Sequence, residues 1–318
     1  MTASSRRLGV VMDPIESITP KKDSTLAMLL EAERRGIEIH YMLQGDLRLE
    51  SGEAFARTRS LSVVDDLERW FTLGEAHDLK LGELDVILMR KDPPFDMEYI
   101  YTSYLLERAE LQGALVVNRP RALRDMNEKA YTAWFPDLTP VTLVTRSLSA
   151  LREFSAAHGR IVVKPLDGMG GRSVFVVAPG DKNANVIFET LTDDGRRFAM
   201  AQVFVPEIAE GDKRILLVDG EPVPYALARV PAPDDYRGNL AMGARGEGRE
   251  LTARDREISA RVGPALREAG VVFAGLDVIG DYVTEINVTS PTGIRELDRQ
   301  FGLNIAGTLF DAIEARLR

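Results

Sequence analysis

The chain of 318 residues contains no cysteine, only three histidines and only two tryptophans. Without cysteine there is no disulfide, no thiolate metal site and no cysteine nucleophile. His40, His77 and His158 lie far apart beside no obvious partner, which argues against a histidine-based triad or zinc centre. Apolar runs approaching the roughly 20 residues needed to cross a bilayer are also missing. The apolar stretch 8–12 is too short for the core of a signal peptide, so a cytoplasmic location is expected. Positive charge is in deficit, with 40 Lys and Arg against 49 Asp and Glu and a net charge of −9. Such a surface repels nucleic acid and anionic lipid, and neither is expected as a partner. A small anion can still bind where a cleft is locally positive. There is no internal repeat and no low-complexity tract.

What is present is an ordinary globular composition, 45% hydrophobic and 28% charged, in a chain long enough for two or three domains. The opening third alternates short β-rich runs with helical patterns: a strand over 8–12, a helix over 24–35 and a strand over 37–42. Asp23 or Ser24 is the N-cap of that helix and Gly36 its stop. Further buried strands are read at 85–89 and 114–118, separated by a helix over 96–112, and an open parallel sheet is the economical arrangement. The first strand runs into Val11-Met12-Asp13-Pro14 rather than G-x-G-x-x-G, which disfavours dinucleotide binding. From about 139 the pattern changes to a small α+β module: a strand, a helix capped by Ser147 and ending near Gly159, a strand over 161–164, a glycine loop and a strand over 173–177. Strands follow near 198–204, 214–218 and 222–230, with Asp219-Gly220 as a hairpin turn. The stretch 231–248 is rich in glycine and arginine and shows no periodicity, as in a long functional loop.

Two segments carry chemistry. The first is Lys164-Pro165-Leu166-Asp167-Gly168-Met169-Gly170-Gly171-Arg172-Ser173, a lysine ending a strand before a glycine-rich turn. Glycines let backbone N–H groups converge on a phosphate, and the lysine adds a positive charge. The order of lysine and glycines is the reverse of a Walker A loop, and a plain flexible hairpin uses the same residues. The second is Gly275-Leu276-Asp277-Val278-Ile279-Gly280-Asp281-Tyr282-Val283-Thr284-Glu285-Ile286-Asn287-Val288, two apolar strands carrying three oxygen donors. Buried carboxylates need partners, and a hard cation is a natural one; solvated positions on a half-exposed hairpin are the alternative. A two-residue turn at Gly280-Asp281 would send Asp277 and Glu285 to opposite faces. A three-residue turn centred on Asp281, or a bulge there, pairs 277 with 285 and puts Asp277, Glu285 and Asn287 together, and this is the predicted register. Oxygen donors favour Mg²⁺, with Mn²⁺ as a second hard ion, over zinc. Lys129, Arg214, Arg229, Arg237, Arg245 and Arg295 complete the inventory. Each taken alone is an ordinary surface charge, but Arg229 ends an apolar strand at the mouth of the long loop.

The order of lysine, glycine loop, hinge and Asp…Glu-x-Asn resembles the ATP-grasp superfamily. Met89-Arg90-Lys91-Asp92-Pro93-Pro94-Phe95-Asp96, Asp167-Gly168-Met169-Gly170-Gly171 and Glu285-Ile286-Asn287-Val288-Thr289-Ser290-Pro291-Thr292 extend the likeness. With 11–15, 21–24 and 239–246, these motifs resemble the prokaryotic glutathione synthetase family over nearly the whole chain. That resemblance implies an α/β N-terminal open parallel sheet domain (1–122), followed by two α+β ATP-grasp modules. These are a small lid module (123–203) and a C-terminal module with the metal site (204–318). It implies an ATP-dependent ligase that joins γ-glutamylcysteine and glycine through an acylphosphate, assembled as a homo-oligomer, commonly a homotetramer. Residue by residue, it assigns ATP phosphates to Lys129 and Lys164, the small phosphate lid to Gly168, Met169, Gly170 and Gly171, the adenine hinge to Ala201-Gln202-Val203, and the ribose to Asp212. Asp277, Glu285 and Asn287 would hold two Mg²⁺ ions. Arg214 and Arg229 would face the reacting groups, and the loop bearing Arg237 would close over the intermediate. Ser290, Pro291, Thr292 and Arg295 would hold the peptide. The sequence departs from the family where Ala244 replaces a frequent second glycine and where Gly293 replaces a cysteine of some members. Another ATP-grasp ligase acting on a different amino acid or peptide is the alternative reading, and a non-catalytic ATP-binding protein a more distant one.

Overall fold

The computed structural model describes residues 6–230 and 245–317. The strands Arg7–Val11, Glu38–Met42, Val86–Met89 and Leu115–Val117 form a parallel block, with Arg7–Val11 between Glu38–Met42 and Val86–Met89. Val86–Met89 is buried at every position, as a strand covered on both faces must be. The helix Ser24–Arg34 makes the first crossover. Asp23 caps it, accepting from the Leu26 amide at 2.7 Å, and Gly36 ends it at φ +68°. Asp96 caps the helix Met97–Leu111 in the same way.

The expected open parallel sheet is confined to those four strands. Glu53–Val63 runs antiparallel to Glu38–Met42 and in turn pairs with Leu47–Glu50 and Phe71–Lys80, which makes the sheet mixed and seven-stranded. Positions along Glu53–Val63 largely alternate between buried and more exposed, the period of a sheet with one wet face.

A second, wholly antiparallel sheet contains Phe175–Val177, Ile161–Pro165, Ala199–Val203 and Thr142–Thr145, in that order. The helices Leu148–His158, capped by Ser147, and Ala184–Thr192 pack on it. Its core is its own, built from Leu151, Ile161, Val163, Phe188, Leu191 and Ala201 among others.

The third sheet is antiparallel in the order Arg245–Glu250, Glu221–Val230, Asp212–Val218, Phe273–Ile279, Tyr282–Asn287. Asp219 (φ +53°) and Gly220 (φ +79°) form the two-residue hairpin between Val218 and Glu221, as the sequence predicts. The expectation of a long loop over 231–248 fails for its last four residues, because Arg245 to Gly248 are strand residues paired with Val230 to Leu227. The remainder of that stretch lies outside the described residues.

This third sheet shares its core with the first. One cluster joins Val11, Met89 and Leu123 to Ile215, Leu276 and Ile286, and Met126, Phe135 and Leu138 are buried in it as well. Asn118 stitches the two sheets. Its Oδ1 accepts from the amides of Val272 and Phe273 at 2.8 and 2.9 Å, and its Nδ2 donates to the carbonyls of Phe273 and Val288 at 2.7 and 2.6 Å. The last helices, Ile294–Phe301 and Ile305–Arg316, return to the first domain, where Arg35 pairs with Asp311 and Glu314 at 2.8 and 2.9 Å. Among the described residues no helix is long and apolar enough to cross a membrane.

Candidate active site

The hairpin formed by Phe273–Ile279 and Tyr282–Asn287 sets the site. Ile279 pairs with Tyr282 and Val278 with Val283, so the turn is the two-residue Gly280-Asp281 after all. The register then shifts by one residue at Thr284, and Asp277 pairs with Glu285 and Gly275 with Asn287. The predicted outcome is correct, with Asp277, Glu285 and Asn287 on one face. The device differs: the extra residue is a bulge at Thr284 within the strand and does not sit at the turn.

Two lysines converge on Glu285. Lys129 and Lys164 each place Nζ 3.6 Å from its Oε1, although they are 35 positions apart in sequence and come from different elements. Lys164 is the penultimate residue of the strand Ile161–Pro165 and also donates to the Thr284 carbonyl at 3.3 Å. Lys129 lies just after the first domain, pairs with Glu128 and donates to the Gly168 carbonyl at 2.5 Å. Asn127 fixes this corner by accepting from the amides of Lys129 and Ala130 and donating to the Leu166 carbonyl. The glycine turn is thereby tied to the rest of the site through the carbonyls of Leu166 and Gly168. Gly170 (φ +65°) and Gly171 (φ +75°) occupy the left-handed region that favours glycine.

Beside Glu285, three strands bring up a chain of alternating charges. Arg214 on Asp212–Val218 grips Asp277 with Nε at 2.5 Å and Nη2 at 2.9 Å. Arg229 on Glu221–Val230 reaches Asp277 at 2.8 Å and Asp212 at 2.5 Å. Sheet register dictates this, since Asp212 is cross-strand from Arg229 and Arg214 from Asp277. Burial opposes ionisation of Asp277, but the two guanidiniums overcome it and hold the carboxyl well below the usual range. Glu285 is likewise lowered, as Lys129 and Lys164 outweigh its burial. Burial pushes Asp212 the other way, up to about 7, with Asp277 and Glu285 adding repulsion that Arg229 only partly offsets. Its Oδ1 and the Arg229 Nε are buried without a hydrogen-bond partner. Burial and the Glu285 charge also raise Glu128. Lys164 is lowered by burial, while Lys129 is raised because its carboxylate neighbours outweigh its own burial.

Apart from Lys129, these groups line one cleft of about 1000 Å³. At one end Val162, Val176, Val203, Phe204, Val205 and Ile279 form an apolar slot suited to a flat aromatic ring. The segment 201–203 leads into it. Gln202 itself is buried, and its side chain donates to Thr142 Oγ1 at 3.0 Å. The other end is polar and includes Ser290, Pro291 and Thr292. Arg295 is turned elsewhere, pairing with Asp65 at 2.5 Å. Arg237 lies outside the described residues.

The donor set fits a nucleotide carried with a hard divalent ion. Among the described residues no three His, Cys, Asp or Glu side chains stand close enough to hold a metal by themselves, and Asp277 is engaged by two arginines. Glu285 and Asn287 remain, an oxygen-only pair beside the ammonium groups of Lys129 and Lys164. Magnesium is commonly bound by one or two protein carboxylates and completes its shell from substrate phosphates. Sequence reasoning missed Glu128, whose only local signal is its place beside Lys129.

The fold and the site can be set beside known proteins. Residues 7–124 match the family described as prokaryotic glutathione synthetase, N-terminal domain, and residues 128–302 match prokaryotic glutathione synthetase, ATP-grasp domain. The chain is 60% identical to the glutathione synthetase of Salmonella typhimurium strain LT2 over 311 residues, covering 98% of this chain and 99% of that protein. It is also 60% identical to the glutathione synthetase of Escherichia coli strain K12 over 312 residues, with the same coverage. Among solved structures, D-cycloserine synthetase DcsG superposes with a TM-score of 0.69 at 18% identity, covering 98% of this chain and all of the other. The D-alanine–D-alanine ligase of Bacillus anthracis complexed with ATP gives 0.60 at 16%, covering 99% and 98%. At those identities the likeness is one of fold.

Proposed function

The chain belongs to the prokaryotic glutathione synthetase family, and from that premise we propose that this cleft joins γ-glutamylcysteine to glycine at the expense of ATP. The observation that carries the reading is the meeting of Lys129, Lys164, Arg214 and Arg229 around Glu285 and Asp277 at the junction of an apolar slot and a polar arm. ATP lies with its base in the slot, beyond Gln202, and its phosphates under the turn Gly168-Met169-Gly170-Gly171, with Lys129 and Lys164 against them. The ribose falls between, within reach of Asp212. Mg²⁺ or Mn²⁺, held by Glu285 and Asn287 and bordered by Asp277, would gather the phosphate oxygens and neutralise their charge.

The terminal carboxylate of γ-glutamylcysteine attacks the γ-phosphorus, ADP leaves, and an acylphosphate forms. The amine of glycine then attacks the acyl carbon; the amide bond forms, the acyl–oxygen bond breaks, and phosphate departs with the amine's proton lost to solvent. The protein contributes position and charge and forms no covalent bond to substrate. Arg214 and Arg229 offset the negative charge that builds on the transferring group, and Arg237, outside the described residues, is assigned to the same task. Ser290, Pro291 and Thr292 hold the peptide. We also propose that the protein is cytoplasmic and a homo-oligomer; light scattering on the purified protein tests the second, and fractionation of cells that express it the first.

A coupled ADP-release assay with γ-glutamylcysteine and glycine, with mass detection of the tripeptide, tests the reaction. ADP release that depends on both substrates is expected. Release with a different amino acid pair and none with this one would replace the assignment by another ATP-grasp ligase.

A further inference from the structure

Every cation at the centre of the cleft already faces a carboxylate. Lys129 meets Glu128 and Glu285, Lys164 meets Glu285, Arg214 meets Asp277, and Arg229 meets both Asp212 and Asp277. A phosphate that enters must compete with those carboxylates for each of them. A cation with no such partner would attract it without that competition.

The turn that follows Lys164 carries one. Arg172 is exposed and lines the cleft, and among the described residues its guanidinium has no hydrogen-bond or ion-pair partner. Of the other cations along the cleft wall, Lys164, Arg214 and Arg229 are paired as above, and Lys22 lies in the field of Glu296 in the polar arm.

The one carboxylate of the turn is tied off. Asp167 pairs with Arg197 at 2.7 Å, so it neither holds Arg172 nor turns an uncompensated charge toward a phosphate. The backbone fixes where Arg172 stands. Gly170 (φ +65°), Gly171 (φ +75°) and Ser173 (φ +57°) bracket it in left-handed conformations, the last of them uncommon for a residue with a β-carbon. The Arg172 amide closes the turn by donating to the Met169 carbonyl at 3.2 Å.

We propose that Arg172 is a further phosphate-binding residue, a free guanidinium on the glycine turn that meets the triphosphate without having to leave a carboxylate. This role presupposes that the cleft takes ATP as proposed above. A guanidinium fork matches two phosphate oxygens at once, which a lysine in the same place would not do.

Equilibrium binding by calorimetry, with Mg²⁺ present at low ionic strength and with ATP and adenosine as paired probes, tests the assignment. Arg172→Ala should raise the Kd for ATP by about 10-fold, the low end for a hydrogen bond to a charged group, and leave the Kd for adenosine within about 2-fold. Arg172→Lys keeps the charge and loses the fork, and should fall between at about 3-fold. Added salt should weaken ATP binding by the wild-type protein more steeply than by Arg172→Ala. An unchanged Kd for ATP in Arg172→Ala would overturn the proposal. So would an equal loss for ATP and adenosine, which is the mark of a residue that shapes the small module and does not meet phosphate. Failure of the nucleotide reading itself looks different, since the wild-type protein would then bind ATP no better than adenosine.

Discussion

The four-stranded sheet of Thr142–Val203 and the five-stranded sheet of Asp212–Asn287 both contribute to one cleft, yet they are held in opposite ways. The smaller has a core of its own, drawn entirely from residues between 143 and 201. The larger has no private core; its apolar face is continuous with that of the first domain and is stitched to it by Asn118. The site divides along the same line. Asp277, Glu285, Arg214 and Arg229 stand on the welded part, while Lys164 and the glycine turn stand on the part with its own core. Groups that must hold a developing charge need fixed positions, whereas groups that cover a nucleotide must let it in and out. Polar ties across the cleft at this point include Lys164 to Glu285 and to the Thr284 carbonyl, Lys129 to the Gly168 carbonyl and Asn127 to the Leu166 carbonyl, and the first and third are ones that bound phosphates would replace.

Breaking the welded side should cost most. Arg229→Ala removes a cation that touches both Asp212 and Asp277, and kcat should fall by about 100- to 1000-fold with a much smaller change in ATP affinity, measured by steady-state rates beside nucleotide titration. A kcat within a few-fold of wild type would take Arg229 out of the reaction. Next in size is the weld itself. Asn118→Leu strands buried amides and carbonyls of Val272, Phe273 and Val288, and about 3 kcal/mol of stability should be lost, read as a lower urea midpoint. On the lid side, Lys164→Met should raise the Kd for ATP by about 10- to 100-fold and leave the urea midpoint nearly in place, because its ammonium is buried for a ligand more than for the fold.

How much of this could be read from the sequence follows the same division between local and distant. Asp23 and Ser147 as caps, the Asp219-Gly220 turn and the parallel strands are signals spanning a few residues, and they stand where expected. The shared face of Asp277, Glu285 and Asn287 was legible because strand parity leaves only two answers, although the bulge that selects one sits at Thr284. What could not be read depends on the tertiary fold. Nothing near Asp277 announces that Arg214 and Arg229, 63 and 48 positions upstream, take both its oxygens. Strand Glu53–Val63 turns the first sheet from parallel to mixed only by choosing its neighbour.

The smallest expected effect separates two glycines of the lid. Gly168 has room for no side chain: a Cβ there would lie 2.5 Å from Pro165 Cγ and 3.3 Å from the Arg172 carbonyl oxygen, so Gly168→Ala must open the turn at 168–171. Gly180, at φ +78°, has nothing within 4 Å of an added Cβ, so Gly180→Ala meets backbone strain without a clash. Gly168→Ala should therefore raise KM for ATP by about 3- to 10-fold with little change in melting temperature, a loss of up to about 1.4 kcal/mol confined to ligand binding. Gly180→Ala should do the reverse, destabilising by about 1 kcal/mol with KM unchanged. If both variants shifted KM alike, the turn at 168–171 would have no special claim on the phosphates, and the lid would act on the nucleotide only through its general stability.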